Sequence, residues 1–101
     1  MSMFGLIYLA RNTVTNECYI GATIQPLRNR WNKHVSVALR GGSDCPKLHP
    51  AIRKYGKAAF EIQILAQAKD ADDLVALEEQ FIREWDTVCH GYNVLYGRKA
   101  Q

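Results

Sequence analysis

Gly5-Leu6-Ile7-Tyr8-Leu9-Ala10 and, one polar loop later, Cys18-Tyr19-Ile20-Gly21-Ala22 decide the architecture of this chain. Both runs are apolar and carry a tyrosine, and the stretch between them, Asn12-Thr13-Val14-Thr15-Asn16, is made of turn-forming residues. The pattern predicts a hairpin, with strands over Phe4 to Ala10 and Cys18 to Ala22. Tyr8 and Tyr19 lie at similar heights in any such pairing. Whether they share a face depends on the register, which the loop leaves open.

Working outward, Pro26 suits the first turn of a helix running to about Arg40, where Gly41-Gly42 ends it. Stepping roughly 100° per residue from Leu27 gathers Trp31, Val35 and Ala38 into an apolar stripe, with Arg30 and His34 on its border. Arg28, Asn32, Lys33 and Ser36 point away. A second helix is expected from Pro46 to Tyr55, stopped by Gly56, with Leu48, Ile52 and Tyr55 on one side and Lys47, Arg53 and Lys54 elsewhere. The alternating run Phe60-Glu61-Ile62-Gln63-Ile64-Leu65 is a strand, half-buried or central. Asp70 or Asp72 then caps a third helix to about Trp85, and Tyr92-Asn93-Val94-Leu95 is short enough to close the sheet as a last strand.

With 101 residues, 48% of them apolar, the chain can close one core and little more, so a single domain is expected over residues 1–97 with a tail at 98–101. No apolar run approaches the roughly 18 residues of a membrane span, and Met1-Ser2-Met3-Phe4 lacks the features of a signal peptide. A soluble cytoplasmic protein without a membrane partner is the expectation. Cys18, Cys45 and Cys89 form no Cys-x-x-Cys pair, and His34, His49 and His90 fall on different elements. Neither a disulfide framework nor a histidine–cysteine metal cluster is therefore expected, and any metal should be a hard cation on oxygen ligands.

The net charge of +3 conceals an asymmetry. Arg11, Arg28, Arg30, Lys33, Arg40, Lys47, Arg53, Lys54 and Lys57 are opposed over the same span only by Glu17 and Asp44, while most of the acids fall between Asp70 and Asp86. A polyanion would meet the first half of the chain. The third helix holds the least expected residue. Leu74, Leu77, Phe81, Ile82 and Trp85 make its apolar stripe, and Glu78 falls in the middle of it, with Glu79 at the edge. Burying a carboxylate without a counter-charge costs several kcal/mol, so the options are a bound cation, an arginine such as Arg30 or Arg83, or protonation.

These residues resemble the GIY-YIG endonuclease family over nearly the whole chain. The first motif stands as Leu6-Ile7-Tyr8, departing from the family at its first position, and the second is an intact Tyr19-Ile20-Gly21. Arg30-Trp31 with His34, Lys54-Tyr55-Gly56 ahead of Phe60-Glu61-Ile62, Glu78 ahead of Ile82, and Gly91-Tyr92-Asn93 follow in the family's order. The resemblance implies an α/β fold, a small three-stranded antiparallel sheet flanked by helices, and metal-dependent cleavage of DNA. It implies that Tyr8, Tyr19, Arg30, His34 and Glu78 are catalytic, that Glu78 holds Mg²⁺ or Mn²⁺, and that Gly21 and Asn93 support the site.

Each residue type also has its own chemical reason to be there. Phosphodiester hydrolysis adds charge to the phosphoryl oxygens, which a guanidinium at Arg30 and a divalent ion at Glu78 would stabilise. A tyrosine with a pKa of about 10 is a poor base at neutral pH, so Tyr8 would need the arginine and the ion to lower it. Arg28, Lys33, Arg40, Lys47, Arg53 and Lys54 would contact phosphates and supply affinity without sequence information. The sequence stops at Gln101, so no separate DNA-binding region is expected, and specificity falls to a dimer, a protein partner or loops such as Gly42-Ser43-Asp44-Cys45. A phage or mobile-element endonuclease is the leading reading. The alternatives are a repair or recombination nuclease that needs a partner and a non-catalytic DNA-binding module.

Overall fold

The computed structural model describes residues 4–42 and 45–94. Strands β1 (Gly5–Asn12) and β2 (Cys18–Thr23) form the expected hairpin, and helices α1 (Leu27–Leu39) and α2 (Leu48–Tyr55) follow. Strand β3 (Phe60–Ala68), helix α3 (Ala71–Trp85) and a single turn, α4 (Thr87–His90), complete the order. The sheet is antiparallel with order β2-β1-β3, so the first strand of the sequence is the central one.

Local signals account for the element ends. The Asp70 carboxylate accepts the Asp73 amide hydrogen at 2.8 Å and caps α3, satisfying a donor that the helix cannot satisfy itself. Gly56 ends α2 with a positive φ of 83°, a conformation that costs glycine nothing. Pro26 stands just ahead of α1, with its ring-locked φ of −53° leading into the first turn.

The sheet has helices on both faces. Ile7, Leu9, Ile20 and Ala22 pack with Leu74 and Ile82 of α3, while Ala10 on the opposite face packs with Val35, Ala38, Leu48 and Ile52 of α1 and α2. Each valine, leucine or isoleucine among them contributes about 1.5–3 kcal/mol when fully buried. The period-2 alternation of β1 thus feeds two cores. Tyr8, on the α1 side, is completely buried in the middle of the central strand. The β1–β3 register slips between Ile7 and Tyr8, leaving Leu65 as an extra residue opposite the tyrosine.

Several expectations need correcting. Of the two readings of β3 the half-buried one holds and the central one does not: it is an edge strand, with Ile64 at 49% exposure, because β1 takes the centre. Trp85 does not complete the buried stripe of α3. It stands 45% exposed beside a groove that it shares with Arg11, Cys18 and Thr87, where the chain turns through Asp86 in a left-handed conformation. Tyr92 to Val94 are not a strand, since the backbone bends there and a side chain takes over the pairing, as described below. Leu95, the boundary expected at residue 97, and Ser43 and Asp44 of the first inter-helix loop lie outside the described residues. Among those described, no helix is long and apolar enough to cross a membrane.

Candidate active site

Register puts the two motif tyrosines together. Tyr8 pairs with Gly21 and Ala10 with Tyr19, so Tyr19 and Gly21 both point to the side of the sheet that Tyr8 occupies. The two phenol rings lie 6.2 Å apart between centroids. Gly21 is what lets the Tyr8 ring lie across the neighbouring strand. A Cβ built there would come 2.7 Å from Tyr8 Cε1 and closer still to Cζ and Oη, so no larger residue fits beneath the ring.

Helix α1 closes over the tyrosines. His34 is 2% exposed rather than at a border, because α2 packs against that flank of α1 and buries a second stripe the sheet alone would not cover. Its Nε2 lies 2.9 Å from the Tyr8 hydroxyl, and its ring meets Tyr19 edge-on at 5.5 Å. Arg30, one turn earlier on the helix, is near enough for its guanidinium to act on the same phenol. Burial pushes the Tyr8 phenol up to about 12, against the lowering pull of the Arg30 charge and hydrogen bond. Burial also raises Tyr19 well above its ordinary value, with smaller contributions from Tyr8 and Cys45. His34 moves the other way, down to about 3, through burial and then the Arg30 and His49 charges. At neutral pH both phenols are protonated and His34 is uncharged.

Two of the three histidines come together, contrary to the sequence expectation, while His90 stays apart beside Asp86. His34 Nδ1 lies 3.0 Å from Nε2 of His49, and His49 is itself 1% exposed on the buried face of α2. Cys45 joins them: its Sγ is 4.0 Å from His34 Nδ1 and 3.9 Å from the Tyr19 hydroxyl, and its backbone amide donates to His49 Nδ1 at 3.4 Å. The ligand atoms of His34, Cys45 and His49 fall within 4.8 Å of one another, a spacing that a metal ion could use. However, His34 and His49 already occupy each other's ring nitrogens, and Arg30 and Lys33 line the same opening. Sequence reading missed His49. The available signal was its i,i+3 spacing from Ile52, which places an imidazole at an apolar face.

That opening, about 30 Å³ in volume, is lined by Arg30, Lys33, His34, Val37, Cys45 and His49, and has room for a water-sized group. Glu78 lies within the buried line Leu74–Glu78–Ile82 of α3, at 8% exposure, near enough for its charge to disfavour ionisation of Tyr8. Arg83, one of its suggested counter-charges, pairs with Glu79 at 3.2 Å. Asn93 is bound to the outer edge of β2 at two points, where its Oδ1 accepts the Ile20 amide hydrogen at 2.8 Å and its Nδ2 donates to the Ile20 carbonyl at 2.9 Å. With Tyr92 N–H donating to Cys18 O, this supplies the pairing expected of a last strand.

The six basic residues assigned to phosphate contact divide into two groups. All six are exposed, and no side-chain hydrogen bond or ion pair is seen for Arg28, Lys33, Arg40 or Lys54 among the described residues. Lys47 Nζ donates to the carbonyls of Val88 and Asn93 at 2.7 and 3.0 Å, and Arg53 Nη1 to those of Ala38 and Gly42 at 2.9 and 3.2 Å. Their hydrogen bonds tie α2 to neighbouring segments.

The hairpin, the helix laid over it and the phenol and imidazole buried beneath that helix belong to one small α/β domain. The model of the GIY-YIG catalytic domain matches residues 4–93, and the chain belongs to the GIY-YIG family. It is 33% identical over 96 residues to an Invertebrate iridescent virus 6 protein, MSV199 domain-containing protein 146R, covering 93% of this chain and 37% of that one. It is 32% identical over 89 residues to intron-associated endonuclease 1 of Enterobacteria phage T4, covering 87% and 36%. The chain thus spans about a third of the length of these relatives. In structure it is similar to the catalytic domain of intron endonuclease I-TevI, with a TM-score of 0.84 and 26% identity over 92% of this chain and 95% of that one.

Proposed function

We propose that this domain hydrolyses phosphodiester bonds in DNA, using Tyr8, Tyr19, Arg30, His34 and Glu78 and one divalent ion. The observation that carries the reading is the buried Tyr8 oxygen, 2.9 Å from the His34 imidazole and within the field of the Arg30 guanidinium. Once the phenol has released its proton to solvent as substrate and ion bind, the phenolate so held would take a proton from the attacking water. Arg30 also faces the opening, where its donors can meet charge developing on a phosphoryl group. Tyr19 holds the far side of His34 and orients the cluster.

Glu78 offers oxygen donors from a largely buried carboxylate, which fits a hard cation such as Mg²⁺ or Mn²⁺ and suits it to hold that ion. The ion, when bound, would supply Lewis-acid stabilisation of the leaving oxygen. With Tyr8 resting near 12, the chain's own cations do not ionise it at neutral pH, so proton transfer would follow substrate and ion binding. Lys33, at the rim of the opening, together with Arg28, Arg40 and Lys54, would contact flanking phosphates. Gly21 and Asn93 hold β2 in place beneath the site.

The test is incubation with supercoiled plasmid and with branched DNA in Mg²⁺ or Mn²⁺, beside EDTA, Glu78→Ala and Tyr8→Phe. Cleavage by the wild type alone supports the whole reading. Near-normal turnover in Tyr8→Phe would remove the base assignment. Cleavage of branched substrates alone would favour a structure-specific nuclease working with a partner, and binding without cleavage of either substrate would favour a non-catalytic module.

A further inference from the structure

We propose that His49 is a positioning residue which fixes the proton of His34 on Nε2, so that His34 donates a hydrogen bond to the Tyr8 oxygen instead of accepting the phenol's proton. The inference rests on the nuclease reading with Tyr8 as the proton acceptor, and goes beyond it by assigning the polarity of the cluster.

The polarity follows from one group whose direction is not in question. A backbone N–H can only donate. The Cys45 amide points at His49 Nδ1 at 3.4 Å, so Nδ1 presents its lone pair and the proton of neutral His49 sits on Nε2. That Nε2–H lies 3.0 Å from His34 Nδ1 and donates to it. His34 Nδ1 is then the acceptor, its own proton sits on Nε2, and Nε2 is 2.9 Å from the Tyr8 oxygen. The reverse polarity would put the His49 proton on Nδ1, facing the Cys45 amide hydrogen across the same gap. The Cys45 thiol, 4.0 Å from His34 Nδ1, can donate to the same lone pair and acts in the same sense.

The consequence lies at Tyr8. Arg30 and His34 of α1, Tyr19 of β2, Cys45 of the loop and Glu78 of α3 surround its hydroxyl or act on it through their charges. Of these, His34 donates to its oxygen under the assigned polarity and the Arg30 charge acts in the same sense, so a phenolate left there once its proton passes to solvent gains from both. An accepting His34 would instead hold the phenol's proton and leave the Arg30 charge to act alone. The same polarity accounts for the convergence of His34, Cys45 and His49 without an ion: an ion would have to displace the His49 proton and sit beside Arg30 and Lys33.

The test uses the intact chain and the variants His49→Gln and His49→Leu. Glutamine places an amide nitrogen near the position of His Nε2 and can donate to His34 Nδ1, whereas leucine cannot. In His49→Leu, kcat for Mg²⁺-dependent cleavage should fall roughly ten- to a hundredfold with KM for DNA within about twofold, and His49→Gln should recover most of the loss. ¹⁵N NMR of the metal-free protein supplies the second readout. His34 should show a protonated Nε2 and a bare Nδ1 in wild type and His49→Gln, with the tautomers mixing in His49→Leu. A wild-type His34 protonated on Nδ1 overturns the proposal. So do equal losses in both variants with the tautomer unchanged, since His49 would then act by packing alone. If the wild type cleaves no DNA, the nuclease reading fails, and the NMR readout still decides the polarity.

Discussion

Replacing Gly21 with alanine tests the feature on which the site most depends, the passage of the Tyr8 ring over β2. The added methyl would overlap Cζ and Oη and stand 2.7 Å from Cε1. The ring has little room to yield, because it is fully buried and held by His34 on one side and Tyr19 on another. Overpacking of this kind costs about 1–3 kcal/mol. In a domain of this size each kcal/mol lowers Tm by about 4–8 °C, so a fall on the order of 10 °C is expected in a calorimetric or circular-dichroism melt. Activity should suffer more than stability. A shift of the phenol oxygen by about 1 Å costs on the order of a hundredfold in rate, measurable at 25 °C, where a domain with about 5–15 kcal/mol of stability remains folded. Tyr8→Leu removes the obstructed ring, so the double variant Tyr8→Leu with Gly21→Ala should be more stable than the sum of the single changes by about 1–2 kcal/mol. Additive single effects, or a Gly21→Ala protein with wild-type Tm and cleavage rate, would refute the packing argument.

Stability should rise with pH between about 3 and 6.5, because His34 titrates near 3 when folded and near 6.5 when unfolded, and the unfolded chain binds more protons in that window. Lowering the pH from 7 to 5 should cost about 2 kcal/mol through this group, and urea melts of His34→Gln should show a pH 7 to 5 difference smaller by that amount. Lys33→Ala should weaken DNA binding and reduce the slope of log K against log salt by about 1, whereas Lys47→Ala should lower Tm, because its ammonium is committed to the Val88 and Asn93 carbonyls. Filter binding across a salt series and thermal melts distinguish the two. Asn93→Asp should destabilise the fold by about 2–4 kcal/mol in urea, since the carboxylate keeps the Ile20 amide as donor but faces the Ile20 carbonyl with no hydrogen to offer. Wild-type stability in Asn93→Asp would mean the two bonds to Ile20 matter little.

Much of this fold can be read from local pattern. The ends of β1, β2, α1, α3 and the Gly56 stop of α2 fall close to where periodicity and capping put them, and Tyr8, Tyr19, Arg30 and His34 do converge. The misreadings of His34 and His49 have one physical origin, a surface created by a second element. His34 looks like a border residue on a helix wheel drawn against one partner, yet α1 has two partners, the sheet and α2. His49 reads as an isolated imidazole until α2 docks beside α1 and brings its Nε2 to His34. The shared face of Tyr8 and Tyr19 depends on register, and a loop of this length closes in more than one. Here an Asx turn, in which the Asn12 side chain accepts the Val14 amide hydrogen at 2.9 Å, and a left-handed Asn16 with φ of 64° set it.

The end of the described chain carries the same lesson into function. An apolar-polar alternation at Tyr92 to Val94 suggests a strand, and the sheet does receive two rungs there, but one comes from a side chain. A primary amide is the one side chain that offers a donor and an acceptor in the geometry of a peptide group, so Asn93 can stand in for a strand partner without continuing the strand. The chain reaches this clamp through Gly91, in extended conformation, where a Cβ would meet the Cys18 carbonyl. Ile20, the residue so held, lies between Tyr19 and Gly21. A clamp on its peptide therefore fixes the phenol that packs on His34 and the glycine that makes room for Tyr8. The amide at the end of the family's motif order thus acts on the site through the β2 backbone, by setting where two of its neighbours stand.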